Sequence, residues 1–137
     1  MTKNFTILIA DRNRNIRKLL QRELAAVGYL VQLVNNGRDV LTMMDVEPPD
    51  LLILDLEMPY LDGFEILEKL YHKKPLIPVI VHSLSICHEN HPVIQKIAAF
   101  VEKDGNSVNS LKLMIAKVLR EYYPHKFKET FRTMGIR

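Results

Sequence analysis

The segment that most constrains the fold is a run of four apolar residues, Leu51 to Leu54, which ends directly on Asp55. Apolar residues without alternation are typical of a strand that is covered on both faces, as in the parallel sheet of an α/β protein. Parallel sheets carry their chemistry at the carboxyl ends of their strands. Because Asp55 occupies such an end, we predict that it is a reactive carboxylate.

Strand-like and helix-like patterns alternate along the chain and predict five βα units. The predicted strands are Phe5–Ala10, Tyr29–Val34, Asp50–Asp55, Ile77–His82 and Phe100–Glu102. The predicted helices are a first that ends at Gly28, a second over Gly37–Asp45, a third capped by Asp62, a short fourth that begins near Pro92 and a fifth that begins near Ser107. Right-handed crossovers fold such units into a doubly wound, five-stranded parallel sheet with helices on both faces, commonly in the flavodoxin-like order 2-1-3-4-5.

Two of these helices carry apolar residues at helical spacing, which we predict to face the core. On the third helix they are Phe64, Leu67, Leu70 and Tyr71. On the last helix they are Val108, Leu111, Ile115, Val118, Leu119 and Tyr122.

Length and charge indicate one domain with a distinct end. The chain has 137 residues, of which 47% are hydrophobic, which suffices for one core. Residues 1–123 carry 15 Lys or Arg against 15 Asp or Glu, whereas residues 124–137 carry 4 against 1. We therefore predict a domain over residues 1–123 and a basic tail over residues 124–137. The neutral domain has no basic stripe, so we expect no direct contact with nucleic acid.

The cysteine content and the ends of the chain bear on its location. Cys87 is the only cysteine, so no intramolecular disulfide can form. Neither end shows a charged-then-apolar leader or a long apolar span. We expect a cytoplasmic protein without a membrane contact.

The tail predicts an amphipathic helix that begins at Pro124. Phe127, Phe131 and Met134 recur at the spacing i, i+4 and i+7, with basic residues between them. Three arrangements are open: a frayed end, a helix docked on its own domain, or a contact surface for a partner or a second copy in a homodimer. Because no output domain follows, we expect any signal to leave through protein contact.

Polar residues stand at the ends of four predicted strands. Asp11 follows the first strand and Asp55 ends the third, while Ser83 and Lys103 follow the fourth and fifth. In the order 2-1-3-4-5 the first and third strands are neighbours, so Asp11 and Asp55 would lie side by side at a strand spacing of roughly 5 Å. We predict that these four residues converge on one edge of the sheet.

Another group of residues has the side chains of metal ligands but not their spacing. His82, Cys87, His88 and His91 lack the paired short intervals of a zinc site. They span the end of the fourth predicted strand and the irregular loop after it, so we do not interpret them as a metal site.

These motifs resemble the receiver domain of two-component response regulators over about residues 5 to 122. The resemblance rests on four blocks, which are Ile7 to Asp11, Asp55 to Gly63, Val79 to Ser83 and Phe100 to Lys103. Their joint occurrence in this order is highly specific.

The resemblance implies a role for each residue of the edge. Asp55 would accept a phosphoryl group, and Asp11 and the backbone carbonyl of Glu57 would help it to hold Mg²⁺. Ser83 and Lys103 would grip the phosphoryl oxygens. This set suits the chemistry, which needs a carboxylate nucleophile, a metal that neutralises developing charge, and a cation and a hydroxyl that hold the transferred group. Phe100 matches an aromatic residue that turns inward on activation.

Arg12 is the main departure from the family pattern, which has a second metal-binding acid at this position. Asp11, Arg12, Asp55 and Lys103 sum to zero formal charge, and a neutral pocket is a poor site for Mg²⁺. An arginine within about 5 Å of Asp55 would contribute roughly 3 kcal/mol of attraction and lower the pKa of that carboxyl. Arg12 would then partly replace the metal, and rescue by the side chain of Glu57 is the less favoured alternative.

Two further departures affect the approach to the site. Leu84 follows Ser83 where a small residue is usual, so we expect slower phosphorylation. Asp104 follows Lys103 where the family has a proline with a cis peptide; a cis bond before a residue other than proline costs roughly 3 kcal/mol, so we expect a trans loop.

Two functions are consistent with these residues. The first is a stand-alone receiver that accepts a phosphoryl group on Asp55 from a histidine kinase or phosphotransfer protein and signals to an effector protein by contact. The second is a pseudo-receiver that is not phosphorylated and acts as an adaptor, with Arg12 as a built-in cation. In both cases we expect a protein that is not an enzyme beyond catalysing its own phosphorylation and dephosphorylation.

Overall fold

The fold is a five-stranded sheet with α-helices on both faces. The structure is a computed structural model that describes residues 4–73, 76–84 and 92–133, with the backbone alone for residues 95 and 130–133. The strands in these ranges are β1 (Thr6–Ala10), β2 (Leu30–Val34), β3 (Leu51–Leu54), β4 (Val79–Ser83) and β5 (Ala99–Glu102). The α-helices there are α1 (Arg14–Val27), α2 (Gly37–Val46), α3 (Gly63–Tyr71), α4 (Ser107–Tyr122) and α5 (Pro124–Thr133).

The strands pair in the order β2-β1-β3-β4-β5, and every pair is parallel. Ala10 lies opposite Leu54, so β1 and β3 end side by side. The predicted fold class and strand order are confirmed.

Two apolar clusters cover the two faces of the sheet. One joins alternate residues of the central strands to α1 and α4, and the other joins the intervening residues to α2 and α3. All four residues of β3 are buried, because consecutive side chains of a strand point to opposite faces and both faces are covered. This is the physical reason for the uninterrupted apolar run before Asp55.

Local signals in the sequence set several helix ends. Gly28 ends α1 with φ 115°, a left-handed conformation that glycine adopts without steric cost. The side chain of Asp62 accepts a hydrogen bond of 3.0 Å from the backbone N–H of Glu65 and thereby caps α3. Both predicted ends are confirmed.

The predicted inward faces of two helices were partly wrong. Tyr71 on α3 and Tyr122 on α4 are exposed, whereas Ile66, which the prediction omitted, is fully buried. The α3 face is rotated by one residue, since Gly63, Ile66 and Leu67 form its buried side. The predicted short fourth helix is a single 3-10 turn, Ile94–Lys96, within the described residues.

The tail contains the predicted helix, and it docks on its own domain. Phe127 of α5 lies 6.4 Å from the ring of Phe5, between ring centroids. Nζ of Lys126 lies 3.0 Å from a carboxylate oxygen of Asp50, and the hydroxyl of Tyr123 donates a 2.6 Å hydrogen bond to the carbonyl of Asp50. These contacts join α5 to the starts of β1 and β3, at the end of the sheet opposite Asp55.

None of the helices in the described part of the chain combines enough length and enough apolar character to cross a lipid bilayer.

Candidate functional site

Asp11 and Asp55 extend the two central strands by one residue at their carboxyl ends. The backbone N–H of Asp55 donates a 2.9 Å hydrogen bond to the carbonyl of Ala10, and that of Asp11 donates one of 3.2 Å to the carbonyl of Val34. These bonds continue the parallel ladder and fix both backbones. The two carboxylates are buried, with 2% and 4% of the residue surface exposed.

Lys103 brings the two carboxylates together. Its Nζ lies 2.7 Å from Oδ2 of Asp11 and 3.1 Å from Oδ2 of Asp55, and 10% of its side chain is exposed. The backbone N–H of Lys103 donates a 2.9 Å hydrogen bond to the carbonyl of Ser83, which anchors the lysine at the end of β4. The structure thus places Asp11, Asp55, Ser83 and Lys103 at one edge, while their chemical roles remain predictions.

Backbone N–H groups occupy the other oxygens of the carboxylates. Oδ1 of Asp11 accepts a 2.8 Å hydrogen bond from the N–H of Asn13. Oδ1 of Asp55 accepts one of 3.1 Å from the N–H of Glu57. Because each carboxylate oxygen has two lone pairs, these bonds orient both groups and leave acceptor capacity on each.

The environment of Asp55 contains groups that raise its pKa and groups that lower it. Burial raises the pKa of Asp55, and the carboxylate of Asp11 adds to this rise. The N–H of Glu57 and the ammonium of Lys103 lower the pKa, but burial is the largest effect. The effect predicted for an arginine within about 5 Å of Asp55 does not apply here, because Arg12 pairs with Glu57 and the cation that lowers the pKa of Asp55 is Lys103.

The guanidinium of Arg12 turns to Glu57 at the rim. Its Nη2 lies 2.8 Å from a carboxylate oxygen of Glu57, and the two side chains are 57% and 52% exposed. An exposed ion pair of this kind contributes about 0–1 kcal/mol to stability, so it opens at little cost. In this conformation the carboxylate of Glu57 pairs with Arg12, and its rescue of the site as a third carboxylate stays a prediction.

Two cavities meet at this ion pair, since Arg12 and Glu57 line both. One, of about 450 Å³, is lined by Ser83 together with residues of the β3–α3 loop. The other, of about 490 Å³, lies between α1 and α4 and is lined by Asp55 and Lys103. Ser83 and Asp55 therefore border different cavities in this conformation.

The two remaining predicted positions flank the site. Leu84 is exposed and lines the cavity that contains Asp55, so it stands where a donor would approach. Phe100 is half-buried and packs against the cluster under α2 and α3. The effects of both residues on phosphorylation remain predictions.

His82 was predicted to end the fourth strand, and this position is confirmed. It lies in β4, only 2% exposed, and its Nε2 is 3.2 Å from the hydroxyl oxygen of Ser107 at the start of α4. Its Nδ1 has no hydrogen-bond partner among the residues that the structure describes. Burial, followed by the charge of Lys103, lowers the pKa of His82 to about 4, so the imidazole is neutral at pH 7.

The other members of the predicted histidine loop, Cys87, His88 and His91, lie outside the described residues. The described residues contain no group of three or more His, Cys, Asp or Glu arranged to hold a metal ion.

The donor set fits Mg²⁺ only in part. Mg²⁺ prefers oxygen ligands and often uses one or two protein carboxylates, completing its shell with waters and phosphate oxygens. Asp11 and Asp55 supply two carboxylates with remaining lone pairs, but both already contact the ammonium of Lys103. A metal ion at this edge would have to share the carboxylates with that cation.

A parallel sheet of this order with paired aspartates and a lysine at its carboxyl edge defines a receiver fold. The chain belongs to the response regulator receiver domain family, whose sequence model matches residues 7–103. The predicted family is confirmed.

Among individual relatives, the chain is similar to the response regulator MprA of Mycobacterium leprae, with 40% identity over 75 residues. The match covers 55% of this chain and 33% of that protein, so it spans about a third of the length of the curated relative.

Solved structures agree with the family. The response regulator TrrA of Thermotoga maritima, in complex with Mg²⁺ and BeF, superimposes with a TM-score of 0.79 at 30% identity, covering 84% of this chain and 99% of that chain. A structure of the histidine kinase ThkA in complex with TrrA gives a TM-score of 0.77 at 30% identity, covering 84% and 98% of the two chains.

Proposed function

We propose that Asp55 accepts a phosphoryl group from a histidine kinase or a phosphotransfer protein, and that the chain passes the signal to an effector protein by contact. The observation that carries the proposal is the lysine bridge, in which Nζ of Lys103 contacts Asp55 and Asp11 at 3.1 and 2.7 Å. The complex of TrrA with a histidine kinase supports the kind of donor. The chain would be a phosphoryl acceptor that catalyses at most its own phosphorylation and dephosphorylation.

The transfer step uses groups that the structure places at this edge. An oxygen of ionised Asp55 attacks the phosphorus of a phosphohistidine on the donor, a P–O bond forms as the P–N bond breaks, and the imidazole leaves with the electron pair. The ammonium of Lys103 holds oxygens of the transferred group, and the hydroxyl of Ser83, which borders the adjoining cavity, joins it once the Arg12–Glu57 pair between the two cavities opens. Burial raises the pKa of Asp55, which makes its carboxylate more basic and a better nucleophile.

Mg²⁺ would be held by Asp11, Asp55 and the backbone carbonyl of Glu57. When bound, it would neutralise part of the charge on the transferred group. Arg12, Leu84 and Phe100 would modulate the reaction. Arg12 acts at the rim, because its pair with Glu57 borders the cavity of Asp55 as well as that of Ser83.

The direct test is intact-mass measurement after incubation with a small acyl phosphate and MgCl₂. We expect the full chain to gain one phosphoryl group and the Asp55→Asn variant to gain none. Asp62→Asn is a matched control near the site, because asparagine caps a helix as well as aspartate does. A wild-type chain that stays unmodified, or an Asp55→Asn variant that is modified equally, contradicts the proposal.

The second candidate is a pseudo-receiver that works as an adaptor without phosphorylation. The Arg12–Glu57 ion pair favours it, because Arg12 stands where a metal-binding acid is usual and engages the carboxylate of Glu57. Arg12 also puts a positive charge at the rim, which disfavours a divalent cation.

Calorimetry with Mg²⁺ separates the two candidates. The pseudo-receiver predicts no measurable binding to the wild type, whereas Arg12→Asp should tighten binding by about tenfold or more through its change of two charge units. Arg12→Ala distinguishes loss of the cation from gain of a carboxylate. Tight binding of Mg²⁺ or beryllofluoride by the wild type would rule out the pseudo-receiver.

A further inference from the structure

Two neighbouring residues of β4 face opposite sides of the sheet. Ser83 lines the cavity of the β3–α3 loop, and His82 lines the cavity between α1 and α4. This follows from the strand period of two, which alternates consecutive side chains. His82 therefore points away from Ser83 and to the start of α4.

Both residues hold the turn that connects β5 to α4. At its beginning, the N–H of Lys103 donates to the carbonyl of Ser83 at 2.9 Å. At its end, the hydroxyl of Ser107 lies 3.2 Å from Nε2 of His82. The five-residue turn from 103 to 107 is thus fixed to the end of β4 at both of its ends.

Within the turn, the contacts are local. The carboxylate of Asp104 accepts a 2.8 Å hydrogen bond from the N–H of Asn106, and its carbonyl accepts one of 3.3 Å from the N–H of Ser107. A side chain added at Gly105 would meet no atom of the described residues within 4 Å. The His82–Ser107 contact therefore adds a long-range contact to the local contacts of the turn.

A histidine at this position is costly. Its ring is buried beside the charged groups Lys103, Asp11 and Asp104, and Nδ1 lacks a partner among the described residues. Leaving a buried polar nitrogen unpaired costs about 1–3 kcal/mol, which an apolar residue would avoid. The cost is consistent with a role for the ring nitrogen that does bond, Nε2.

We propose that His82 is a positioning residue: through Ser107 it fixes the 103–107 turn and so holds the ammonium of Lys103 against Asp11 and Asp55. The effect of His82 on phosphorylation rests on the proposed function, in which Lys103 holds the transferred phosphoryl oxygens. The effect of His82 on the position of Lys103 does not depend on that function.

Three variants test the tether. His82→Val removes the imidazole and keeps a β-branched residue suited to a strand. Ser107→Ala removes only the hydroxyl. His82→Gln provides an amide that can bond the hydroxyl again and should restore most of the wild-type behaviour. His125→Val on α5 is the matched control, since His125 is exposed and its helix docks at the opposite end of the sheet.

The first measurement needs no phosphoryl donor. A ¹³C NMR titration of the Asp55 carboxyl should show a higher pKa in His82→Val and Ser107→Ala than in the wild type, because the nearby ammonium of Lys103 lowers that pKa. In His82→Gln and His125→Val, the Asp55 carboxyl should titrate as it does in the wild type. An unchanged Asp55 titration in Ser107→Ala overturns the proposal, even if the variant is less stable. Should His82→Val fail to fold, Ser107→Ala and His82→Gln decide alone.

The second measurement is the rate of phosphorylation by a small acyl phosphate with MgCl₂. Loss of the tether should slow it by about tenfold, as expected for a misplaced group in a transfer reaction. The double variant His82→Val/Ser107→Ala should be no slower than either single variant, because both changes remove one contact. If the wild type is not phosphorylated, the proposed function fails while the titration still decides the positioning role.

Discussion

Replacing Lys103 by methionine removes the ammonium that bridges Asp11 and Asp55 and keeps an unbranched side chain of similar length. The two carboxylates are 2% and 4% exposed, so water cannot fully replace the lost cation. At distances of 2.7 and 3.1 Å, each contact has a gross attraction of about 5–6 kcal/mol at an effective dielectric near 20.

Most of this attraction offsets the cost of removing three charges from water, which is several kcal/mol per ion. Removing one partner of a buried pair typically costs about 3–5 kcal/mol, because the remaining charge stays buried and uncompensated. We therefore expect Lys103→Met to lower the free energy of unfolding by about 3–5 kcal/mol at pH 7. The loss should shrink at lower pH, because without the lysine the pKa of Asp55 rises further and its protonation removes the repulsion with Asp11.

Urea denaturation at pH 7 and pH 5 measures both effects. Lys112→Met is a matched control, since Lys112 pairs with Glu23 at 3.0 Å but both side chains are 32% exposed. We expect a much smaller loss of stability for the control, because water and salt screen a pair that is partly exposed. Adding Asp11→Asn to Lys103→Met should recover about 2 kcal/mol by removing one carboxylate.

A Lys103→Met variant that is destabilised no more than Lys112→Met at pH 7 would contradict the predicted stabilisation by the buried lysine. An equal loss of unfolding free energy at pH 5 and pH 7 would also contradict it, because that result would show that the pKa of Asp55 does not rise when the lysine is removed.

Three other changes have defined outcomes. The pKa of His82 falls from 6.5 to about 4 on folding, so the free energy of unfolding should rise with pH across this window by up to about 3 kcal/mol; denaturation of His82→Gln should lack this rise. A side chain at Gly37 would clash with the carbonyl oxygen of Leu61, so Gly37→Ala should cost about 2 kcal/mol in urea denaturation, whereas Gly105→Ala, whose side chain would meet no atom of the described residues within 4 Å, should be nearly neutral. Phe127→Ala should lower stability by about 2 kcal/mol and increase hydrogen exchange in α5, and unchanged exchange would contradict its docking role.

The sheet and the carboxylate edge were predictable because they follow from short-range patterns. The run Leu51 to Leu54 identifies a strand covered on both faces, and Gly28 stops a helix by its own backbone geometry. Once the strands are parallel and ordered, the residues after them must meet at one edge. This geometry places Asp11 beside Asp55 without any knowledge of their side chains.

Features that depend on partners distant in sequence were not predictable. Arg12 has similar access to Asp55 and to solvent, and its direction is set by Glu57, 45 residues away. The contact of His82 was not predictable, because its partner, Ser107, lies 25 residues further along and shows no pattern of its own. Tyr71 was misplaced because helical spacing defines an apolar face only to within a rotation of about one residue.

The strand order has a mechanical consequence for any group added to Asp55. β3 is the middle strand, bonded on both sides by β1 and β4, and the N–H of Asp55 is itself tied to β1. The backbone of Asp55 is therefore held in place on both sides. Such a group would be accommodated by side chains at the rim, where the exposed Arg12–Glu57 pair separates at little cost, rather than by a displacement of the central strand.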